Sequence, residues 1–268
     1  MIASLPTALA ADLVSGALHD HLAAIAEDAA RVILPYWRAG GEVFTKADDS
    51  PVTLADQKAE ALILSRLAAL YPDIQAVAEE QSEAEGRPAS ADAVFWLIDP
   101  LDGTKGFVAG KESFTVNIAL IRDGRPVAGV VTAPATSTTW RTTADGSAEM
   151  RRYAETGNDP WRAIKVRNRP DEGIALLSHS VTDAEAARLA ARHGCTRWQG
   201  TDSSLKFCLI AEGRFDAYPR TGPTSEWDTA AGQAVLEAAG GRVLAADGSP
   251  LAYGKPGFAN GGFVAMGG

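Results

Sequence analysis

The sequence predicts a mixed α/β fold in two halves, α+β over residues 1–165 and α/β over residues 166–268. Three observations lead there. In the first half, two segments with helical periodicity precede a run of strand patterns joined by a hairpin turn. From Ile174 onward, strand-like and helix-like segments alternate, which is the mark of a layered α/β unit. Between them, Asn158-Asp159-Pro160 and Arg169-Pro170 interrupt both patterns and set the boundary. With 268 residues, 46% of them hydrophobic, the chain can bury one substantial core or two smaller ones that share an interface.

Leu18, Leu22, Ile25, Ala29 and Val32-Ile33 line one face of a helix over about Asp12–Leu34, ended or kinked by Pro35. His19 and His21 lie on it without carboxylate or cysteine partners, so they receive no role. Lys46 to Val52 reads as polar and then extended, because Pro51 keeps Ser50 out of the helical region. Thr53 opens a second helix, with Leu54, Ala55, Leu62, Ile63, Leu67 and Leu70 as its expected buried stripe, stopped at Tyr71-Pro72-Asp73. Asp56 has two readings there: the return partner of a capping box with Thr53, or a general base aimed into a cleft. The segment alone favours the cap. Ala76-Val77-Ala78 reads as a short strand delivering Glu79-Glu80, with a polar loop expected from there to Asp92.

The run Phe95-Trp96-Leu97-Ile98 is a buried-strand pattern that ends in Asp99-Pro100-Leu101-Asp102-Gly103-Thr104. Phe114–Ile121 and Pro126–Val131 then flank Arg122-Asp123-Gly124-Arg125 as a hairpin, and Thr138–Arg152 adds strands about Asp145-Gly146. In the second half, strands are expected at Ile174–Leu177, Thr196–Gln199, Phe215–Tyr218, Arg242–Ala245 and Phe263–Met266. Helices are expected at Asp183–His193, Ser203–Ala211 and Trp227–Ala239.

No apolar run reaches the ~18 residues that span a bilayer, and the N-terminus lacks a signal-peptide pattern, so a cytoplasmic location is expected. Cys195 and Cys208 have no zinc-ligand spacing and read as free thiols. A net charge of -9 without a basic block argues against binding nucleic-acid polymer. A small anionic ligand remains compatible if a metal ion or helix N-termini supply positive charge.

The acids suggest what that ligand would meet. Glu79, Asp99, Asp102 and one further carboxylate would make a hard oxygen site suited to magnesium or manganese. Two such cations can clamp the attacking water and the leaving oxygen of a phosphoryl displacement. If a helix begins at Gly103-Thr104, its amides point at a phosphate, and the Thr104 hydroxyl could hold a water whose proton passes to Asp56. The plainer reading of Asp102-Gly103-Thr104 is a turn that caps a helix. Asp228, in Ser225-Glu226-Trp227-Asp228-Thr229, is either an anion facing a helix dipole or the missing ligand. Ser203-Ser204-Leu205-Lys206 offers hydroxyls and a cation at another helix start.

These residues resemble the inositol-monophosphatase-like superfamily of metal-dependent phosphatases, and within it the CysQ-type 3'(2'),5'-bisphosphate nucleotidases. The resemblance runs from Lys46 to the C-terminal strands and implies a layered αβαβα sandwich. It implies a magnesium-dependent phosphomonoesterase, with two or three Mg2+ ions (Mn2+ as substitute), acting on the 3'-phosphate of adenosine 3',5'-bisphosphate. Residue by residue, it implies metal ligation by Glu79, Asp99, the Leu101 carbonyl, Asp102 and Asp228, with the first half holding metal and phosphate and the second half completing the site. It assigns the phosphate amides to Gly103 and Thr104, and the catalytic roles to Thr104, Asp56 and Glu79. Substrate contacts at Ser204, Lys206, Arg220 and Asp228 are implied too.

The subgroup rests on Ser50-Pro51-Val52-Thr53, Ser203-Ser204-Leu205-Lys206-Phe207-Cys208 and Tyr218-Pro219-Arg220. The sequence departs from it at Gly106, at Asp202 in place of a glycine, and across Leu177-Ser178-His179-Ser180-Val181. As partners, the resemblance implies a small phosphorylated substrate, a homodimer and peripheral association with the cytoplasmic face of the inner membrane. An inositol-1-monophosphatase or sugar phosphatase of the same fold is the alternative, and a catalytically silent nucleotide- or metal-sensing module is the alternative from another class.

Overall fold

A computed structural model describes residues 2–39, 43–45 and 51–268. Lys46–Ser50, which include Ser50 of the subgroup motif, lie outside the described residues. The N-terminal helical segment is two helices, α1 (Thr7–Ser15) and α2 (Ala17–Ile33), because Gly16 takes a left-handed φ of 91° between them. Leu18, Leu22, Ile25, Ala29 and Ile33 form the buried face of α2. After the pair β1 (Val43–Thr45) and β2 (Pro51–Thr53), Thr53 caps α3 (Leu54–Leu70). Its buried stripe is Ala55, Ala59, Ile63 and Leu67, at intervals of four, so the expected Leu54 and Leu70 are exposed instead.

Strand β3 (Gln75–Ala78) runs directly into α4 (Glu79–Glu85), which replaces the first part of the expected polar loop. Next come β4 (Val94–Asp102), α5 (Thr104–Val108), β5 (Thr115–Arg122), β6 (Arg125–Ala133), β7 (Thr138–Thr142), β8 (Ala148–Arg152) and β9 (Arg162–Ile164). β3 to β9 form one sheet in sequence order, with β3 and β4 parallel and the rest antiparallel. β9 continues this sheet beyond the Asn158-Asp159-Pro160 break.

A second, five-stranded sheet has the order β11 (Arg197–Gly200), β10 (Ile174–Leu177), β12 (Ala217–Arg220), β16 (Phe263–Met266), β14 (Arg242–Ala245). α6 (Asp183–Arg192) joins β10 to the parallel β11, while α7 (Leu205–Ala211) and α8 (Ala230–Ala238) lie between the sheets. A small pair, β13 (Thr224–Ser225) and β15 (Ala259–Asn260), closes the set.

The layers follow from which side chains share a core. Phe95, Leu97, Ala119 and Ile121 face α7, α8 and the second sheet. Their neighbours Trp96, Ile98, Ile118 and Leu120 face α2 and α3. Both faces of the first sheet are covered, which is why β4 and β5 read as continuous apolar runs rather than alternating ones. The result is the expected αβαβα sandwich, with helices α1–α3 outside one sheet and α6 outside the other. Among the described residues, no helix is long and apolar enough to cross a membrane, and both cysteines are buried free thiols.

Candidate active site

The site grows from an irregularity at the end of β4. This strand pairs with β5 in register as far as Asp99 opposite Asn117, then slips so that Asp102 faces Thr115. Pro100, which has no amide hydrogen for the ladder, sits in the slip. The slip lies between the two carboxylates, Asp99 and Asp102. Asp99 is buried and accepts the Leu101 amide at 3.0 Å. The parallel pairing of β3 with β4, Ala78 opposite Ile98, sets Glu79 at the head of α4 beside Asp99. Asp102 accepts the Ser204 amide at 2.6 Å, and Asp228 accepts the Ser225 amide at 2.9 Å.

Charge is crowded here. Burial, then the charges of Glu79, Asp102 and Asp228, push the Asp99 carboxyl well above the usual carboxylate range. Burial, then Asp102 and Glu79, do the same to Asp228. Burial also raises Asp102, although Lys206 and the Ser204 hydrogen bonds pull it back. Four acids converge from the ends of β3 and β4 and from the segment before α8. Asp228 precedes that helix, which begins only at Ala230, so its carboxylate is not an ordinary first-turn acid.

Beside the acids lies a hydroxyl–carboxylate pair. Thr104 donates to the Leu101 carbonyl (3.0 Å), and its Oγ1 lies 3.2 Å from Asp56 Oδ1. The other Asp56 oxygen accepts the Thr53 amide (2.8 Å) and hydroxyl (2.5 Å). The capping box therefore anchors the carboxylate that Thr104 touches. Gly103, at a left-handed φ of 94°, caps α5, whose first-turn amides at Thr104, Lys105 and Gly106 precede the first carbonyl partners of the helix.

The second half meets the first through Ser204, which precedes α7 rather than capping it with its side chain. Its amide holds Asp102, its hydroxyl donates to the Asp228 carbonyl at 2.6 Å, and it accepts from Asn117 Nδ2 at 3.0 Å. Ser204 is buried, and its amide and hydroxyl tie Asp102 to the Asp228 backbone. Asn117 is a residue the sequence reading passed over. Its signal was a lone amide inside the apolar run Phe114–Ile121.

Lys206 is buried, donates to the Ser203 carbonyl at 2.8 Å and lies over the Tyr218 ring at 4.7 Å. Burial lowers its pKa to about 8 against the opposing pull of Asp102 and Asp202.

These groups open on a cleft of about 870 Å³ lined by Glu79, Asp102, Gly103, Thr104, Arg220 and Asp228. A recess of about 110 Å³ beside it is lined by Asp102, Asp202, Lys206, Arg220 and Asp228. Two of the sequence departures prove to be one contact: His179 Nδ1 meets Asp202 Oδ2 at 2.8 Å on the cleft wall. Burial would raise the Asp202 carboxyl, but hydrogen bonds from His179 and Ser178 and the charge of Lys206 outweigh it and hold the pKa at about 2.

The donor set suits a hard divalent cation. The charges of Glu79, Asp102 and Asp228 all act on Asp99, and one oxygen of each aspartate is oriented by a backbone amide. Their mutual repulsion is what a cation would relieve. Among the described residues, no three His, Cys, Asp or Glu side chains already stand arranged around one metal position.

A family model described as the inositol monophosphatase family matches residues 18–264. The chain is 44% identical over 214 residues to the 3'(2'),5'-bisphosphate nucleotidase CysQ of Salmonella typhimurium, covering 79% of this chain and 83% of that protein. The Shigella flexneri protein of the same name is 43% identical with the same coverage. The crystal structure of CysQ from Bacteroides thetaiotaomicron, titled a bacterial member of the inositol monophosphatase family, matches with a TM-score of 0.74 and 30% identity. That match covers 98% of this chain and 99% of the other.

Proposed function

The chain belongs to the inositol monophosphatase family, and from that premise we propose that it is a metal-dependent phosphomonoesterase, a 3'(2'),5'-bisphosphate nucleotidase, that converts adenosine 3',5'-bisphosphate to AMP and phosphate. The observation that carries this reading is the Thr104 hydroxyl, bonded to the Leu101 carbonyl and to Asp56 at the foot of the acid cluster.

Glu79, Asp99, the Leu101 carbonyl, Asp102 and Asp228 would hold Mg2+, in two or three ions and with Mn2+ as substitute. When bound, the metal neutralises the gathered acids, lowers the pKa of water and stabilises charge on the leaving oxygen. The residues of the chain do the rest. The amides after Gly103 hold the scissile phosphate, since they have no partner within α5. Thr104 orients the attacking water through its hydroxyl, and Asp56, fixed by the cap, accepts the proton. Glu79, coupled to Asp99 by charge and a hydrogen bond, is the third residue given a catalytic role. Attack on phosphorus breaks the bond to the 3'-oxygen, which leaves with a proton from solvent.

Lys206 offsets the charge of Asp102 from behind, and Arg220 lines the wall where the rest of the substrate would lie. The two halves are read as separate contributions, residues 1–165 holding metal and phosphate and residues 166–268 completing the metal site and the substrate pocket. A cytoplasmic location is proposed as well, with a homodimer and attachment to the inner membrane face from the resemblance, and these are read by fractionation and sizing.

Phosphate release is to be compared for adenosine 3',5'-bisphosphate, inositol 1-phosphate and fructose 1,6-bisphosphate, with and without Mg2+. The bisphosphate nucleotide should be hydrolysed fastest and only with metal, and Asp99→Asn should remove activity from a folded protein. Faster release from inositol 1-phosphate would move the chain to the inositol phosphatases, and full activity of Asp99→Asn would refute the mechanism.

A further inference from the structure

We propose that Asn260, aimed by Lys255, is a positioning residue that fixes Asp228 for metal binding. This rests on the reading of Asp228 as a metal ligand. It adds a buried residue that does not line the cleft and acts only through the chain around that ligand.

The segment that carries Asp228 belongs to no regular element. β13 ends at Ser225 and α8 begins at Ala230, so residues 226–229 lie in neither. Asn260, opposite Thr224 in the β13–β15 pair, reaches both ends of that gap. Its Nδ2 lies 3.2 Å from Thr224 Oγ1 and 3.1 Å from the Ser225 carbonyl on one side, and 2.9 Å from Thr229 Oγ1 on the other. Ser225 is the residue whose amide orients the Asp228 carboxylate, and Thr229 is the next residue in the chain. The Thr229 hydroxyl is held in turn, since it donates to the Glu226 carbonyl at 3.2 Å and accepts from the Tyr253 hydroxyl at 3.2 Å.

Lys255 aims the amide. An ammonium can only donate, so it selects Asn260 Oδ1, at 3.0 Å, and turns Nδ2 toward the three acceptors. The other two donors of Lys255 go to Glu226 Oε1 at 2.6 Å and to the Ala252 carbonyl. Glu226 is fully buried two residues before Asp228, and its carboxylate also accepts the Gly254 amide at 2.7 Å and the Lys255 amide at 3.0 Å. The path from Glu226 through Lys255 to Asn260 therefore returns to the chain on both sides of Asp228 and closes a ring of bonds around it. A buried network satisfied in this way is rigid.

Rigidity at this point has a chemical consequence. Mg2+ demands near-ideal octahedral geometry, and groups that orient a ligand from outside the coordination shell are worth about 10–100-fold in metal affinity. Asp228 Oδ2 is taken by the Ser225 amide, so any shift of Ser225 turns the carboxylate with it.

The test strips the full chain of metal with a chelator and reads Mn2+ binding by calorimetry in the wild-type protein, Asn260→Asp, Lys255→Met and Asp228→Asn, with circular dichroism confirming that each is folded. Asn260→Asp keeps the shape of the side chain but turns an acceptor toward the Ser225 carbonyl, and should weaken Mn2+ binding about tenfold. Lys255→Met changes a partly exposed side chain, removes the aim of the amide and should act in the same direction. Each of these two variants makes the protein more negative by one charge. A field effect alone would therefore tighten cation binding, and the sign separates position from charge. The Mg2+ concentration for half-maximal phosphate release should rise by a similar factor, with KM at saturating Mg2+ unchanged. Unchanged or tighter Mn2+ binding in either folded variant, beside weakened binding in Asp228→Asn, overturns the inference by itself. Undiminished Mn2+ binding in Asp228→Asn would overturn the reading of Asp228 as a ligand and this inference with it.

Discussion

Gly103→Ala tests the construction of the phosphate site most directly. Gly103 sits at a φ of 94°, where a side chain strains the backbone by about 1–2 kcal/mol. Its β-carbon would also lie 2.9 Å from the Ser113 carbonyl oxygen, 3.4 Å from Phe114 Cα and 3.5 Å from Ser203 Cβ. Two of these three contacts are backbone, so relief requires the turn itself to move by a few tenths of an ångström, at a further cost of about 1–2 kcal/mol. The sum, about 2–4 kcal/mol, corresponds to a fall in Tm of about 5–10 °C for a chain of this size. Because Gly103 joins Asp102 to Thr104, the same shift displaces an acid, the water-holding hydroxyl and the phosphate amides together. A displacement approaching 1 Å at a reacting group costs up to about 10²-fold, so a loss of about tenfold in kcat is expected. Thermal unfolding and phosphate release are the two assays. A variant melting within about 1 °C of the wild-type protein with undiminished kcat would refute the account of this turn.

Two further predictions concern other parts of the chain. Thr53→Ala removes the side-chain half of the capping box, which should cost about 1 kcal/mol in denaturant unfolding and lower kcat by releasing Asp56, whereas Thr53→Ser should retain both. His19 is buried against Thr142, and burial followed by the Arg141 charge lowers its pKa to about 4. The unfolded chain protonates this ring near pH 6.5 while the folded chain resists until about pH 4, so its share of stability is present above 6.5 and is lost as the pH falls toward 4. That share is about 3 kcal/mol at most, and the wild-type minus His19→Gln difference in unfolding free energy should shrink from pH 7 to pH 4.5; a constant difference would contradict the assignment.

Much of the site was legible because its parts are local. A short apolar run ending in Asp99 and Asp102, with Pro100 and Gly103 as punctuation, specifies a strand and a tight turn within ten residues. Thr53 and Asp56 announce their cap three residues apart. These signals survive without knowledge of the fold because backbone geometry and hydrogen-bond reach act over a few positions. Where local rules failed, tertiary packing had overruled them. The α3 stripe shifted to alanines that fit against α2, and Glu79 began a helix because β3 ended beside Asp99.

The sequence by itself determined the chemistry on offer: hard acids, a hydroxyl beside a carboxylate, and amides freed by a glycine turn. Only the tertiary structure decided which acids share one field and what else touches them. Asp102 meets the Ser204 amide across a separation of 102 positions, Asn117 reaches Ser204 from the neighbouring strand, and His179 finds Asp202 because β10 and β11 run side by side. The physical reason is that such contacts are set by strand order and by two helices packed between sheets, and no periodicity in the chain records the distance between residues so far apart.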